Sequence, residues 1–123
     1  FSFQFGRMAV RAKPNDSQGI WPAIWLLCQD ETGHDEIDVL EYLGQDAWDA
    51  WTTNHFGILD ENKASDGIAT KNYEAWCQDF HVFEVEWDPE IIKFFIDGVQ
   101  VHSTTTGKDD GRDGMHTRPI LRF

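Results

Sequence analysis

Apolar and polar residues alternate with a period of two through most of this chain, and no stretch of ten or more residues repeats at the helical period. That pattern confines the fold to strands. Phe1, Phe3 and Phe5 against Ser2, Gln4 and Gly6 begin a half-buried strand that runs to Lys13, and Pro14 to Gly19 is a turn cluster. Ile20–Cys28 is an apolar run short enough for a buried strand, Glu36–Leu43 alternates acids with apolar residues, and Thr52–Ile58 is rich in β-branched and aromatic types. Phe83, Val85 and Trp87 share one face of a strand over His81–Trp87, with Glu84 and Glu86 on a wet opposite face. Ile91–Ile96, Asp97-Gly98 and Val99–His102 form the strongest hairpin signal, and Arg118–Phe123 opens one more strand. Residues 59–79 are mostly polar and predict a surface loop with one short strand near Ala69–Tyr73. Many short strands of this kind make an all-β chain, an antiparallel β-sandwich or jelly roll. Residues 1–123 are expected to form a single domain. Because the chain starts and stops inside strands, the sandwich is expected to be incomplete at both ends, with unpaired edges open to self-association.

Charge narrows the partners. Twenty-two acids against ten Lys and Arg give a net charge of -12, which repels nucleic acid, anionic membranes and sulfated polymers and favours a neutral or cationic ligand. No apolar stretch approaches the roughly 18 residues that a membrane span needs, and the N-terminus lacks the pattern of a signal peptide. Six Trp and nine Phe supply both a core and a surplus for binding. Cys28 and Cys77 lack metal-type spacing, and both readings stand: two buried thiols, or one disulfide of an exported protein.

The run Glu36-Ile37-Asp38-Val39-Leu40-Glu41 contains a parity error. In a regular strand Glu36 and Asp38 share a face while Glu41 points to the other, and a lone carboxylate buried among Ile37 and Val39 would be costly. One extra residue at Val39-Leu40, a β-bulge, restores the phase and puts all three acids on one face. Glu36 and Glu41 are then about 13 Å apart along the backbone at ~3.3 Å per residue, a gap that inward-leaning Glu side chains can close. Two carboxyls some 5 to 5.5 Å apart are what glycosidic-bond hydrolysis with retention requires, and crowding of three acids raises the pKa of at least one. Trp21, Trp25, Trp48 and Trp51 flank this strand, and an indole face is a natural platform for a sugar ring. The bland alternative is a solvated acidic face among core tryptophans.

Gly19-Ile20-Trp21-Pro22-Ala23-Ile24-Trp25-Leu26-Leu27 followed by Glu36-Ile37-Asp38-Val39-Leu40-Glu41-Tyr42 resembles glycoside hydrolase family 16. The E-I-D-x-x-E spacing is similar to the bulged, laminarinase-like branch; licheninases have one residue fewer. Phe5-Gly6-Arg7, Thr53-Asn54-His55-Phe56-Gly57 and Phe80-His81 through Asp97-Gly98 extend the resemblance over nearly the whole chain. It implies a jelly roll with a cleft across one sheet and a secreted, retaining endo-hydrolase of a neutral β-linked polysaccharide. A β-1,3- or β-1,3-1,4-glucan stands ahead of an agarase-like galactan. By the same resemblance Glu36 is the nucleophile, Asp38 the residue that assists it and Glu41 the acid/base. Trp21, Trp25, His34, Asn54 and His55 are the expected substrate contacts, with Asn54 handicapped because neighbouring strand residues face opposite ways. No cofactor is required, and the resemblance allows a structural Ca²⁺ whose ligands the sequence does not name.

Two other classes compete. A non-catalytic glucan-binding module would keep the sandwich without turnover. A metal-dependent jelly-roll enzyme would use His34, Glu36, Asp38, Glu41 and His55 as ligands, but the H-x-H pair of such barrels is absent, and no metal is expected. The acidic segments Asp60-Glu61-Asn62 and Asp109–Gly114 do not fit EF-hand spacing and read as solvated loops.

Overall fold

The computed structural model describes residues 3–27, 35–56, 64–72 and 74–105. Their strands are β1 (Gly6–Ala12), β2 (Ala23–Leu27), β3 (Glu36–Tyr42), β4 (Asp49–Phe56), β5 (Ala64–Lys71), β6 (His81–Trp87), β7 (Ile91–Ile96) and β8 (Val99–Thr105). They make two four-stranded antiparallel sheets, ordered β1-β6-β7-β8 and β2-β3-β4-β5. The all-β sandwich is as expected. Only β1 pairs far from its sequence neighbours, because the chain crosses to the second sheet after β1 and returns after β5.

The core lies between the layers. Ile24, Leu26, Ile37, Val39, Leu40 and Tyr42 from one sheet meet Phe83, Val85, Trp87, Ile92, Phe94 and Ile96 from the other, all buried. Each such side chain contributes about 1.5–3 kcal/mol by leaving water, so strand parity is strongly specified wherever it sends residues inward. Polar pins cross the same gap: Asn54 Nδ2 donates to the Thr105 carbonyl at 3.4 Å, and Thr52 Oγ1 lies 3.2 Å from His102 Nδ1.

Several expectations shift. The first strand starts at Gly6 because Phe5 and Gly6 take positive φ, 63° and 130°, which breaks extended pairing there. β2 starts after Pro22, which has no N–H to give to a ladder. β4 starts at Asp49, three residues before the stretch expected from Thr52, and so includes Trp51. Within the expected loop over 59–79 the described residues hold the eight-residue β5, at the edge of the described sheet and overlapping the short strand expected near Ala69–Tyr73, and a 3-10 turn at Trp76–Gln78. Glu84 is buried, not wet: β6 is flanked by β1 and β7, and Arg7 of β1 pairs with its carboxylate. Cys77 is buried with Sγ 3.2 Å from Asp16 Oδ2. Cys28, His34, the segments at 60–62 and 109–114 and the strand expected at Arg118–Phe123 lie outside the described residues.

Candidate active site

The bulge is present on β3. Asp38 pairs with Thr53 and Glu41 with Trp51, so three steps on β3 match two on β4. On the other side Leu40 pairs with Ile24 and Asp38 with Trp25, which again leaves one residue of β3 unmatched. Val39 and Leu40 are both almost fully buried, so two successive side chains go to the core and Glu41 returns to the face of Glu36 and Asp38.

Three cross-strand rows result on the outer face of the β2–β5 sheet. Leu27, Glu36, His55 and Ser65 form the first, Trp25, Asp38, Thr53 and Gly67 the second, and Ala23, Glu41, Trp51 and Ala69 the third. The acids occupy the middle strand, with Trp25 and Trp51 on opposite neighbours. Trp21, Trp25, Trp48 and Trp51 are all exposed, whereas Trp76 and Trp87 are core residues. Trp21, Glu41, Leu43 and Trp51 line a shallow depression of about 130 Å³.

The acids differ in their surroundings. Asp38 is buried and its Oδ2 lies 2.9 Å from Nε2 of half-exposed His55. Burial, the charge of Asp38 and a hydrogen bond with it push Glu36 up to about 7, against the pull of His55. Burial and Asp38 also raise Glu41, opposed by the cation of His55 and by hydrogen bonds from Thr53 and the Trp21 indole. The Thr53 hydroxyl donates to Glu41 Oε2 at 3.4 Å. His55 is itself raised, chiefly by its hydrogen bond to Asp38 and by the three surrounding acids. Glu36, Glu41 and His55 thus all hold their protons to higher pH than usual.

Glu36, Asp38 and His55 each present an oxygen or nitrogen within 4.8 Å of the others, a spacing a divalent cation accepts. Within the set, His55 Nε2 faces the buried Asp38 Oδ2 at 2.9 Å.

The expected site residues thus divide. Glu36, Asp38, Glu41 and His55 meet on one face with Trp25, and Trp21 reaches Glu41 from the segment before β2. Asn54 is a correction. It is fully buried on the inner face of β4, its amide tied to the opposite sheet, so it is no substrate contact. Thr53 and Trp51, which share the parity of His55, lie on the outer face beside the acids, a placement that the parity of β4 could have signalled.

Fold and site together define an antiparallel jelly-roll sandwich that presents a triplet of carboxylates between exposed indoles on one outer face. Glycosyl hydrolases family 16 matches residues 1–120, and the chain belongs to that family. It is 30% identical over 119 residues to a glucan endo-1,3-beta-glucosidase of Cryptopygus antarcticus, covering 92% of this chain and 44% of that protein. A beta-1,3-glucan-binding protein of Penaeus monodon is 30% identical over 116 residues, with 80% and 31% covered. The laminarinase catalytic domain from Thermotoga maritima MSB8 superposes with a TM-score of 0.84 at 30% identity, over 98% of this chain and 51% of that one. The chain therefore spans about half or less of the proteins it matches.

Proposed function

We propose that the protein is a secreted, retaining, endo-acting glycoside hydrolase of a neutral β-linked polysaccharide, with a β-1,3- or mixed β-1,3-1,4-glucan as substrate. The bulge carries this reading, because it places Glu36, Asp38 and Glu41 on one solvent-facing surface while Ile37, Val39 and Leu40 stay in the core. Glu36, ionised, attacks the anomeric carbon as Glu41 gives its proton to the departing glycosidic oxygen. The glycosyl ester on Glu36 is then hydrolysed by a water that loses its proton to Glu41, which restores both groups. Asp38, hydrogen-bonded to Glu36 and paired with His55, orients the nucleophile. Trp21, Trp25 and Trp51 offer flat apolar faces to sugar rings, and His55 offers an N–H. Residues 1–123 would contribute this machinery as one domain, and the charge of -12 favours an uncharged glycan.

Incubation of the complete protein with laminarin, lichenan, agarose and carrageenan, following reducing ends, tests the assignment. Turnover is expected on the first two and not in Glu36→Gln; undiminished turnover in that variant removes Glu36 from the chemistry. A glucan-binding role without turnover is the second reading, favoured by the Penaeus monodon relative's name. Saturable laminarin binding by calorimetry with no reducing ends released would select it. A stoichiometric transition metal after equilibrium dialysis would set both readings aside.

A further inference from the structure

Thr53 lies in the middle of the central row, between Asp38 on β3 and Gly67 on β5. It is nearly buried, and its hydroxyl points diagonally to Glu41 Oε2. A methyl group on Gly67 would lie 2.8 Å from Thr53 Oγ1, 3.0 Å from its Cγ2 and 3.3 Å from the Thr52 carbonyl oxygen. Gly67 does not take a positive φ, so the backbone does not call for glycine here. Within a strand interior glycine costs roughly 0.5–1 kcal/mol relative to alanine, and a close approach by a neighbour is one of the reasons strands carry it. The neighbour is the Thr53 side chain. Thr χ1 has few staggered positions, so a methyl at Gly67 would turn the hydroxyl away from Glu41 instead of nudging it.

We propose that Gly67 and Thr53 act together as positioning residues for Glu41: the missing side chain on β5 leaves the room in which the Thr53 hydroxyl holds the Glu41 carboxylate. The role assigned to Glu41 rests on the hydrolase reading above, but the contact itself does not. The charged groups facing Glu41 are Asp38 and Glu36 of its own strand and His55 of β4. β2 carries no ionisable residue, and on β5 Asp66 faces His102 at 3.6 Å while Lys71 faces Asp49 at 3.4 Å. Against that fixed background the Thr53 hydroxyl and the Trp21 indole are the neutral donors that favour the ionised form of Glu41. Loss of one of them holds the proton on Glu41 to higher pH.

The test uses Thr53→Val, which keeps the shape and loses the hydroxyl, Thr53→Ser, which keeps it, Gly67→Ala, and Gly67→Ala combined with Thr53→Ala. Two readouts are followed in the complete protein: the ¹³C-carboxyl titration of Glu41, and the alkaline limb of kcat on laminarin. Thr53→Val should move both upward by about half a pH unit to one unit and lower kcat roughly five- to twentyfold with little change in KM. Thr53→Ser should restore the wild-type values. Gly67→Ala should copy Thr53→Val, and its effect should vanish in the Thr53→Ala background, where the space is already empty. An unchanged Glu41 titration in Thr53→Val overturns the proposal, as does a Gly67→Ala effect that persists without the hydroxyl. A shifted titration in a protein that releases no sugar would uphold the positioning pair and dismiss the hydrolase reading.

Discussion

As the proposed nucleophile Glu36 would have to be ionised, yet in the ligand-free site it keeps its proton up to about 7 because it is partly buried beside Asp38. Only His55 opposes this among the neighbours that act on Glu36, and His55 is held cationic to higher pH than usual by the same acids. The acidic limb of kcat/KM is therefore expected near neutrality, since that ratio reports the free enzyme. His55→Gln removes the cation, so the limb should move upward by about half a unit; a downward move would show that His55 does not act through charge. Roles are separable by rescue with azide. In Glu36→Ala, azide enters where the nucleophile stood and gives an inverted α-azide, whereas in Glu41→Ala it meets the glycosyl ester and gives a retained β-azide. Both variants should lose roughly a thousandfold or more in kcat without azide, and the reverse product pattern would exchange the two assignments.

At the scale of the element, β3 is intelligible from sequence because a single fact, the odd spacing between Asp38 and Glu41, conflicts with burial unless a residue is extra. The structure resolves the conflict at Val39-Leu40, where both side chains enter the core. β5 is legible only at its end, Ala69–Lys71, for the opposite reason. As an edge strand it leaves Ser65, Asp66, Gly67 and Ile68 exposed in succession, so no alternation marks it and its polar residues read as loop. The burial of Glu84 depends on Arg7, 77 residues away, and that of Asn54 on Thr105 of the other sheet; neither partner is visible in local pattern. A prediction follows from parity. Deletion of Leu40 leaves Glu36, Asp38 and the displaced Glu41 on regular alternation, so the acids stay on one face and some activity should survive. Stability should fall by about 2–5 kcal/mol for the lost core side chain. Insertion of one alanine after Leu40, with Val39 and Leu40 both kept in the core by the bulge, turns the acid inward instead and should abolish activity along with cooperative unfolding in urea. Equal activity in the two variants would mean that the bulge does not set the phase.

For the molecule as a whole, the acidic rows sit on a sandwich whose two layers are joined by an apolar core and a few polar pins, so strain at the site is borne by global stability. Glu36 binds its proton more tightly folded than unfolded, 4.5 rising to about 7. Its contribution is fully present below the unfolded value and is lost as pH rises through the folded one. Glu41 and His55, both raised, act in the same direction, whereas Asp88 and Asp97 are lowered and lose their contributions only at more acid pH. Between pH 5 and pH 8 stability should therefore fall. The Glu36 share is on the order of 1–2 kcal/mol once its partial exposure is allowed for, or roughly 4–8 °C in Tm for a domain of about this size. Glutamine resembles the protonated acid, so Glu36→Gln should leave Tm nearly unchanged at pH 5 and raise it at pH 8. Differential scanning calorimetry at the two pH values decides the matter. An equal shift at both would make the substitution a packing effect, and a lower Tm at pH 8 would show that ionised Glu36 stabilises the fold, contrary to the crowding of carboxylates on β3.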